Sequence, residues 1–248
     1  MIGGRILIYY TYLILLIDRR AFVGGKALRW LRMRDDVILT KRKRGRPRRG
    51  DSEVIDAQIL AAAFLVFRSV GFDAAQMEAI AADAGVTKAT LYRRFANKAA
   101  LLAAVIAGLA EDLAAMAQTV QKDGDAMDRL KGLMRLYQRR AVDGDQIALQ
   151  RLVIAALPSQ PTVAHALDAL RESFVRPVDA LIEEAMAAGL IRQAPTEPVR
   201  EVVFNLLVNS ATSLGLMGLE AEVDLDASFD FGWRVLIQGI GAEGVDAQ

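Results

Sequence analysis

Gly85 stands between two short runs that are each patterned for helix. Before it, Met77, Ile80, Ala81 and Ala84 fall at i, i+3, i+4 and i+7, which is one helix face. After it, Leu91 and Phe95 make the inner face of another helix, and Thr87 is placed to cap its start. Glycine takes a positive φ without steric cost. Two helices joined by a tight turn with glycine cross at a steep angle. The first is then anchored by its apolar face, and the second projects its outer face.

The same reading extends along the chain. Asp51 and Ser52 offer N-cap oxygens, and Glu53 adds negative charge to a first turn. Ile55, Ile59, Ala62, Ala63, Val66, Phe67 and Val70 then line one helix face, and Gly71 ends it. Asn97 caps a helix whose inner face is Leu101, Leu102, Val105, Ile106 and Leu109. Beyond residue 120, breaks at Gly124, Asp143–Asp145, Pro158–Pro161, Gly189–Pro198 and Gly218–Asp226 predict helices over 126–142, 146–157, 161–190, 197–217 and 227–240. Pro177 is expected to kink or split the third of these. The fold class expected is all-α. It comprises a three-helix helix-turn-helix domain over 51–112 and a larger helical domain over 113–248, behind an extra segment over 1–50.

Composition narrows the chemistry. There is no cysteine and one histidine, His165, which excludes disulfides, thiol chemistry and an imidazole-rich metal site. No glycine-rich phosphate loop sits in a strand–loop–helix context. No enzymatic activity, metal or cofactor is expected. The net charge of +1 conceals an asymmetry. Residues 1–50 hold fourteen Lys+Arg against three Asp+Glu, which leaves seventeen against twenty-seven in the remainder. Lys41–Arg49, KRKRGRPRR, reads as a flexible basic arm because Gly45 and Pro47 oppose helix. A basic arm on an acidic body suggests a polyanionic partner.

Ile6–Ile17 is mostly apolar but shorter than the ~20 residues of a membrane span. It is readable as an anchor, as a signal core without a clean cleavage site, or as sequence upstream of a native start at Met33. The last is preferred. The alternative function is a membrane-tethered regulator or interaction protein that uses Ile6–Ile17 as its anchor.

The outer face of the second short helix carries Lys88, Ala89, Thr90, Tyr92 and Arg93, with Arg94 at its edge. It offers cations and hydroxyls for phosphates and base edges, and a small side chain for a thymine methyl. No acid lies on that face, and the nearest, Asp83, precedes the turn. Lys98 opens a helix, where a cation opposes the dipole unless an anion is near, and a DNA phosphate would be such an anion. Arg46, in an extended arm, would enter an electronegative minor groove or attract phosphates non-specifically.

From Gly71-Phe72 through Met77-x-x-Ile80-Ala81-x-x-Ala84-Gly85-Val86-Thr87-Lys88-x-Thr90-Leu91-Tyr92-x-x-Phe95-x-Asn97-Lys98-x-x-Leu101, the chain resembles the DNA-binding domain of TetR-family regulators. The resemblance covers roughly Asp56 to Ile106. It implies three N-terminal helices for DNA, followed by a helical ligand-binding and dimerisation domain. It implies that Lys88, Thr90 and Tyr92 contact DNA and that Lys98 holds a phosphate. Thr87, Ala89 and Arg93 complete the expected DNA-binding set, with Arg93 helping to set sequence preference. The arm resembles the Arg-Gly-Arg-Pro lead of many relatives. Two positions depart from the pattern. Ala75 and Gln76 stand where a capping hydroxyl residue is usual, and Ala99 stands where many relatives have Glu.

One recognition helix reads only a few base pairs, so a homodimer on a pseudo-palindromic operator is expected. Phe204, Leu207, Val208, Ala211, Leu214, Phe231, Val235 and Leu236 are the expected dimer surface. The middle helices are expected to enclose a small-molecule effector. Met134, Tyr137 and Phe174, with Val153, Leu157, Val178 and Met186, are candidate apolar walls, and Gln138, Arg151 and His165 are polar candidates. The helix over 97–121 is the expected lever between head and sensor. A cytoplasmic repressor, released from DNA by a small hydrophobic effector, is the expected function.

Overall fold

The computed structural model describes residues 51–120 and 124–242. The basic arm with Arg46, the run Ile6–Ile17 and Met33 lie outside the described residues. Helices form where apolar side chains recur with helical period, and they stop where glycine, proline or aspartate interrupts that period. In chain order they are α1 (Asp51–Ala74), α2 (Met77–Asp83), α3 (Lys88–Arg94), α4 (Lys98–Ala117), α5 (Ala126–Ala141), α6 (Gly144–Ala156), α7 (Pro161–Ala187), α8 (Thr196–Phe204), α9 (Ser210–Met217) and α10 (Leu225–Ile240). A π turn, Asn205–Asn209, makes one rod of α8 and α9, and a 3-10 turn, Glu220–Glu222, precedes α10.

The described residues pack as two units. One joins 51–113 with 148–172, and the other joins 114–147 with 173–242. Chain order would put residues 148–172 in the second domain, but packing places them in the first unit.

In the first unit α1 is buried far around its circumference. Ile59, Ala62, Ala63 and Phe67 are buried as expected, and so are Ala61 and Phe64 on other faces. Val70 is exposed, at the last turn before Gly71 leaves helical geometry at φ 82°. Leu101, Leu102, Val105, Ile106 and Leu109 of α4 are all fully buried. Both α1 and α4 are long and apolar enough to cross a membrane by composition alone. The residues named above put one apolar face of each into this core.

The second unit is built on α5, the later half of α7, and α8 to α10. Leu130, Leu133, Met134, Tyr137, Val178, Ile182, Val203, Leu207, Phe229 and Leu236 share its core. Asp125 starts α5 with a capping box, accepting from the N–H groups of Met127 and Asp128 at 2.8 and 2.9 Å. Arg200 is almost wholly buried and ties α8 to α7 with two bonds to Asp179, at 2.9 and 2.8 Å. Pro177 does not split α7. Its missing N–H is one gap in a helix whose Val178, Ile182, Ala185 and Met186 are gripped by the core.

Five of the eight residues expected at a dimer surface belong to this core or pack against it. Leu207, Val208, Ala211 and Leu236 are buried, and Phe204 and Leu214 are half-buried. Their periodicity marks the inner face of the rod. Phe231 and Val235 are exposed, at 63% and 38%. Val202 and Leu206, absent from the expected set, are exposed as well. Gly232 lets α10 approach the π turn so closely that a Cβ there would stand 3.0 Å from the Leu206 carbonyl oxygen.

Candidate nucleic-acid interface

The interface is built by the sharp turn between α2 and α3. Gly85 adopts φ 66°. Its N–H donates to the Ala82 carbonyl at 3.1 Å, and the Val86 N–H reaches back to the Ala81 carbonyl at 3.0 Å. This paired closure ends α2 and needs the left-handed residue in the middle. Thr87 then starts α3. Its hydroxyl oxygen accepts from the Thr90 N–H at 3.1 Å, and the two hydroxyls lie 2.9 Å apart. The start of α2 has no such aid. Gln76 sits at its N-cap without a side-chain bond, as the departure at Ala75–Gln76 implied.

Two long-range ties fix α3 and the start of α4. Arg94 faces inward. It pairs with Asp56 of α1 and donates to the Ser52 carbonyl and hydroxyl at 3.3 and 3.1 Å. It is therefore a brace and does not extend the outer face. Lys98 donates to the carbonyls of Phe72 and Asp73, at 2.8 and 2.7 Å, and lies 5.1 Å from the centre of the Phe72 ring. The negative partner required by a cation at a helix start is thus supplied within the chain, by carbonyls released where Gly71 breaks α1. Phe72 is held in turn against Phe67, with ring centres 5.7 Å apart.

The outer face of α3 is set by this frame. Leu91 alone is buried. Thr87, Lys88, Ala89, Tyr92 and Arg93 are exposed, and Thr90 is half-buried. The face is not free of acid, as the sequence suggested. Glu78 of α2 pairs with Lys88, and the Lys88 ammonium also lies 5.7 Å from the Tyr92 ring centre. The hydrogen bond from Lys88 is the main cause holding the Glu78 carboxyl below its ordinary pKa. The same bond, with the carboxylate charge, holds Lys88 above its ordinary value. Asp83 was the nearer acid by sequence, but the crossing of α2 and α3 brings Glu78 to the lysine instead.

The sensor candidates are distributed between the units. Met134, Tyr137, Gln138 and Phe174 belong to the second unit, and Arg151 and His165 to the first. Tyr137 lies edge-on to Phe174, with ring centres 5.0 Å apart, and stacks on Phe204 at 6.2 Å. Burial pushes the Tyr137 phenol well above its ordinary pKa, so it stays neutral. Gln138 is buried and donates to the Leu225 carbonyl at 3.0 Å. Arg151 is half-buried and His165 is exposed. Among the described residues no group of three acidic or imidazole side chains could hold a metal ion.

Residues 59–105 match the family described as bacterial regulatory proteins, tetR family. The uncharacterized HTH-type transcriptional regulator YdeS of Bacillus subtilis strain 168 is 35% identical over 98 residues, 40% of this chain and 48% of that protein. The chain thus spans about half the length of this curated relative. A Mesorhizobium loti protein classed with tetR-family regulators has the same fold with a TM-score of 0.69 at 23% identity, covering 79% of this chain and 100% of that one. The transcriptional regulator FadR of Bacillus subtilis, in complex with stearoyl-CoA, aligns with a TM-score of 0.62 at 20% identity, over 74% of this chain and 98% of its own. At these identities the likeness to the solved structures is one of fold.

Proposed function

We propose that the chain is a transcriptional regulator of the tetR family, whose description residues 59–105 match, and that it is a repressor that leaves a palindromic operator when a small hydrophobic molecule binds. The observation that carries the reading is the face of α3. A glycine-centred closure and a threonine cap hold Thr87, Lys88, Ala89, Tyr92 and Arg93 outward on a helix short enough for the major groove. Arg93 and Ala89 are suited to base edges, and Thr87, Thr90 and Tyr92 to phosphates. Lys98, with two of its three N–H groups engaged by carbonyls, keeps one for a phosphate.

The protein works as a homodimer through the face of Val202, Leu206, Phe231 and Val235. Its effector is apolar. The aromatic cluster of the buried Tyr137 with the half-buried Phe174 and Phe204 supports this, as does the stearoyl-CoA bound by FadR. The effector acts by favouring a state in which the two DNA-binding heads no longer match the operator. Such a repressor works in the cytoplasm and catalyses nothing.

The test is an anisotropy titration on the palindromic element nearest the gene. Tyr92→Ala, an exposed position, is expected to weaken binding about tenfold or more while leaving the thermal midpoint unchanged. Operator affinity equal to wild type would remove Tyr92 from the interface.

A further inference from the structure

The pair between Glu78 and Lys88 has no place in the DNA-binding scheme just described. It holds no core together, because both side chains are more than half exposed, at 51% and 61%. It sets an acid at the mouth of a surface that meets a polyanion. We propose that Glu78 is a specificity-setting residue, whose carboxylate competes with DNA phosphate for the Lys88 ammonium and so holds that lysine back from random sequence. The inference rests on the DNA-binding reading of α3.

The geometry supplies the mechanism. Lys88 is the first residue of α3, and its ammonium is bounded by the Glu78 carboxylate and the Tyr92 ring. A lysine free in solvent that closes on a phosphate releases a counterion from DNA, and this release drives non-specific binding. Lys88 must first leave Glu78, and the freed carboxylate then stands beside a polyanion and takes up a cation. The two ion movements nearly cancel, so this contact adds little to affinity for random DNA. A fixed acceptor on a base edge differs from a phosphate. It can share the ammonium with Glu78, because lysine has three donors and the pair aims them. The carboxylate therefore costs more on the wrong sequence than on the right one.

The full-length chain is titrated with a fluorescein-labelled random duplex of about 30 base pairs, in a series of salt concentrations. Glu78→Gln and Glu78→Ala are expected to tighten binding about two- to fivefold, the range of an exposed pair. They are also expected to steepen the slope of log K against log salt by about 0.9, one phosphate contact. In Glu78→Gln/Lys88→Gln both gains should vanish. Asp83→Asn, which removes an exposed acid from the end of the same helix, should leave the slope as in wild type. The proposal is overturned if the Glu78 variants bind with the wild-type slope, if their gain survives loss of Lys88, or if Asp83→Asn reproduces it. A wild-type chain that binds no duplex at all would overturn the DNA-binding reading and this proposal together. Wild-type binding with silent Glu78 variants would overturn this proposal alone.

Discussion

Lys98, proposed to hold a DNA phosphate, is first of all engaged by the fold. Its ammonium bonds two carbonyls at the broken end of α1 and rests against Phe72. The sequence placed a cation at a helix start and implied that it needs a negative partner. That partner is Phe72 and Asp73, 26 and 25 residues away along the chain. No periodicity could reveal it, because it depends on how Gly71 turns the end of α1. The inward brace of Arg94 on Asp56 and the pairing of Lys88 with Glu78 escaped for the same reason. Charges that look alike on a helical projection acquire different partners once helices cross. The exposed set of Thr87, Lys88, Ala89, Tyr92 and Arg93 was legible, because Leu91 and the cap fix the phase of a short helix. Lys98→Ala should therefore lower stability by about 1–3 kcal/mol in urea unfolding, through loss of charge-assisted bonds. It should also flatten the salt dependence of operator binding by about one charge. Lower stability with an unchanged salt slope would confine Lys98 to its structural tie.

At the level of helices, nearly every boundary was readable. Glycine, proline and aspartate end apolar periodicity for local steric and capping reasons, and those reasons act within a few residues. Two features were not local. Pro177 was expected to kink or split α7, and the helix is not split there, because the core of the second unit grips the residues that follow it. The π turn at Asn205–Asn209 adds no break in the pattern, so the sequence reads as one uninterrupted helix there. The α2 start is a local defect that the sequence did display. Gln76 occupies the N-cap with extended geometry, φ −113° and ψ 137°, and makes no capping bond. Serine adopts that geometry readily and would accept from a free N–H of the first turn. Gln76→Ser should thus stabilise the chain by about 1 kcal/mol, seen as a higher urea midpoint with the same m-value. A lower midpoint would mean that the exposed Gln76 side chain has a role that the cap does not describe.

For the whole molecule, the decisive question is which apolar surface is left after the cores are filled. Counting hydrophobic residues on the last two helices overestimates it, since most of them face inward. Met217, Leu219 and Val223 stay exposed at and after the end of α9, and so do Val202 and Leu206, four residues apart on the rod, and Phe231 and Val235, four apart on α10. Gly232 lets α10 approach the π turn closely at Leu206. Exposed apolar side chains on two neighbouring helices are an unfavourable surface for a lone subunit and a favourable one against its own copy. Two-fold pairing on this face would repeat the same contacts twice and present two α3 helices to DNA. Phe231→Glu places two carboxylates near the axis of that pairing, and should convert a dimer to a monomer in sedimentation velocity. Phe231 is 63% exposed, so the fold should survive with unchanged helical circular dichroism. Affinity for a probe with two half-sites, centred about 34–36 Å apart, should fall by at least tenfold. Affinity for a probe with one half-site should hardly change. A dimer that persists in Phe231→Glu would move the pairing surface elsewhere. Equal losses on both probes would mean that the substitution damages the reading head and not the pairing.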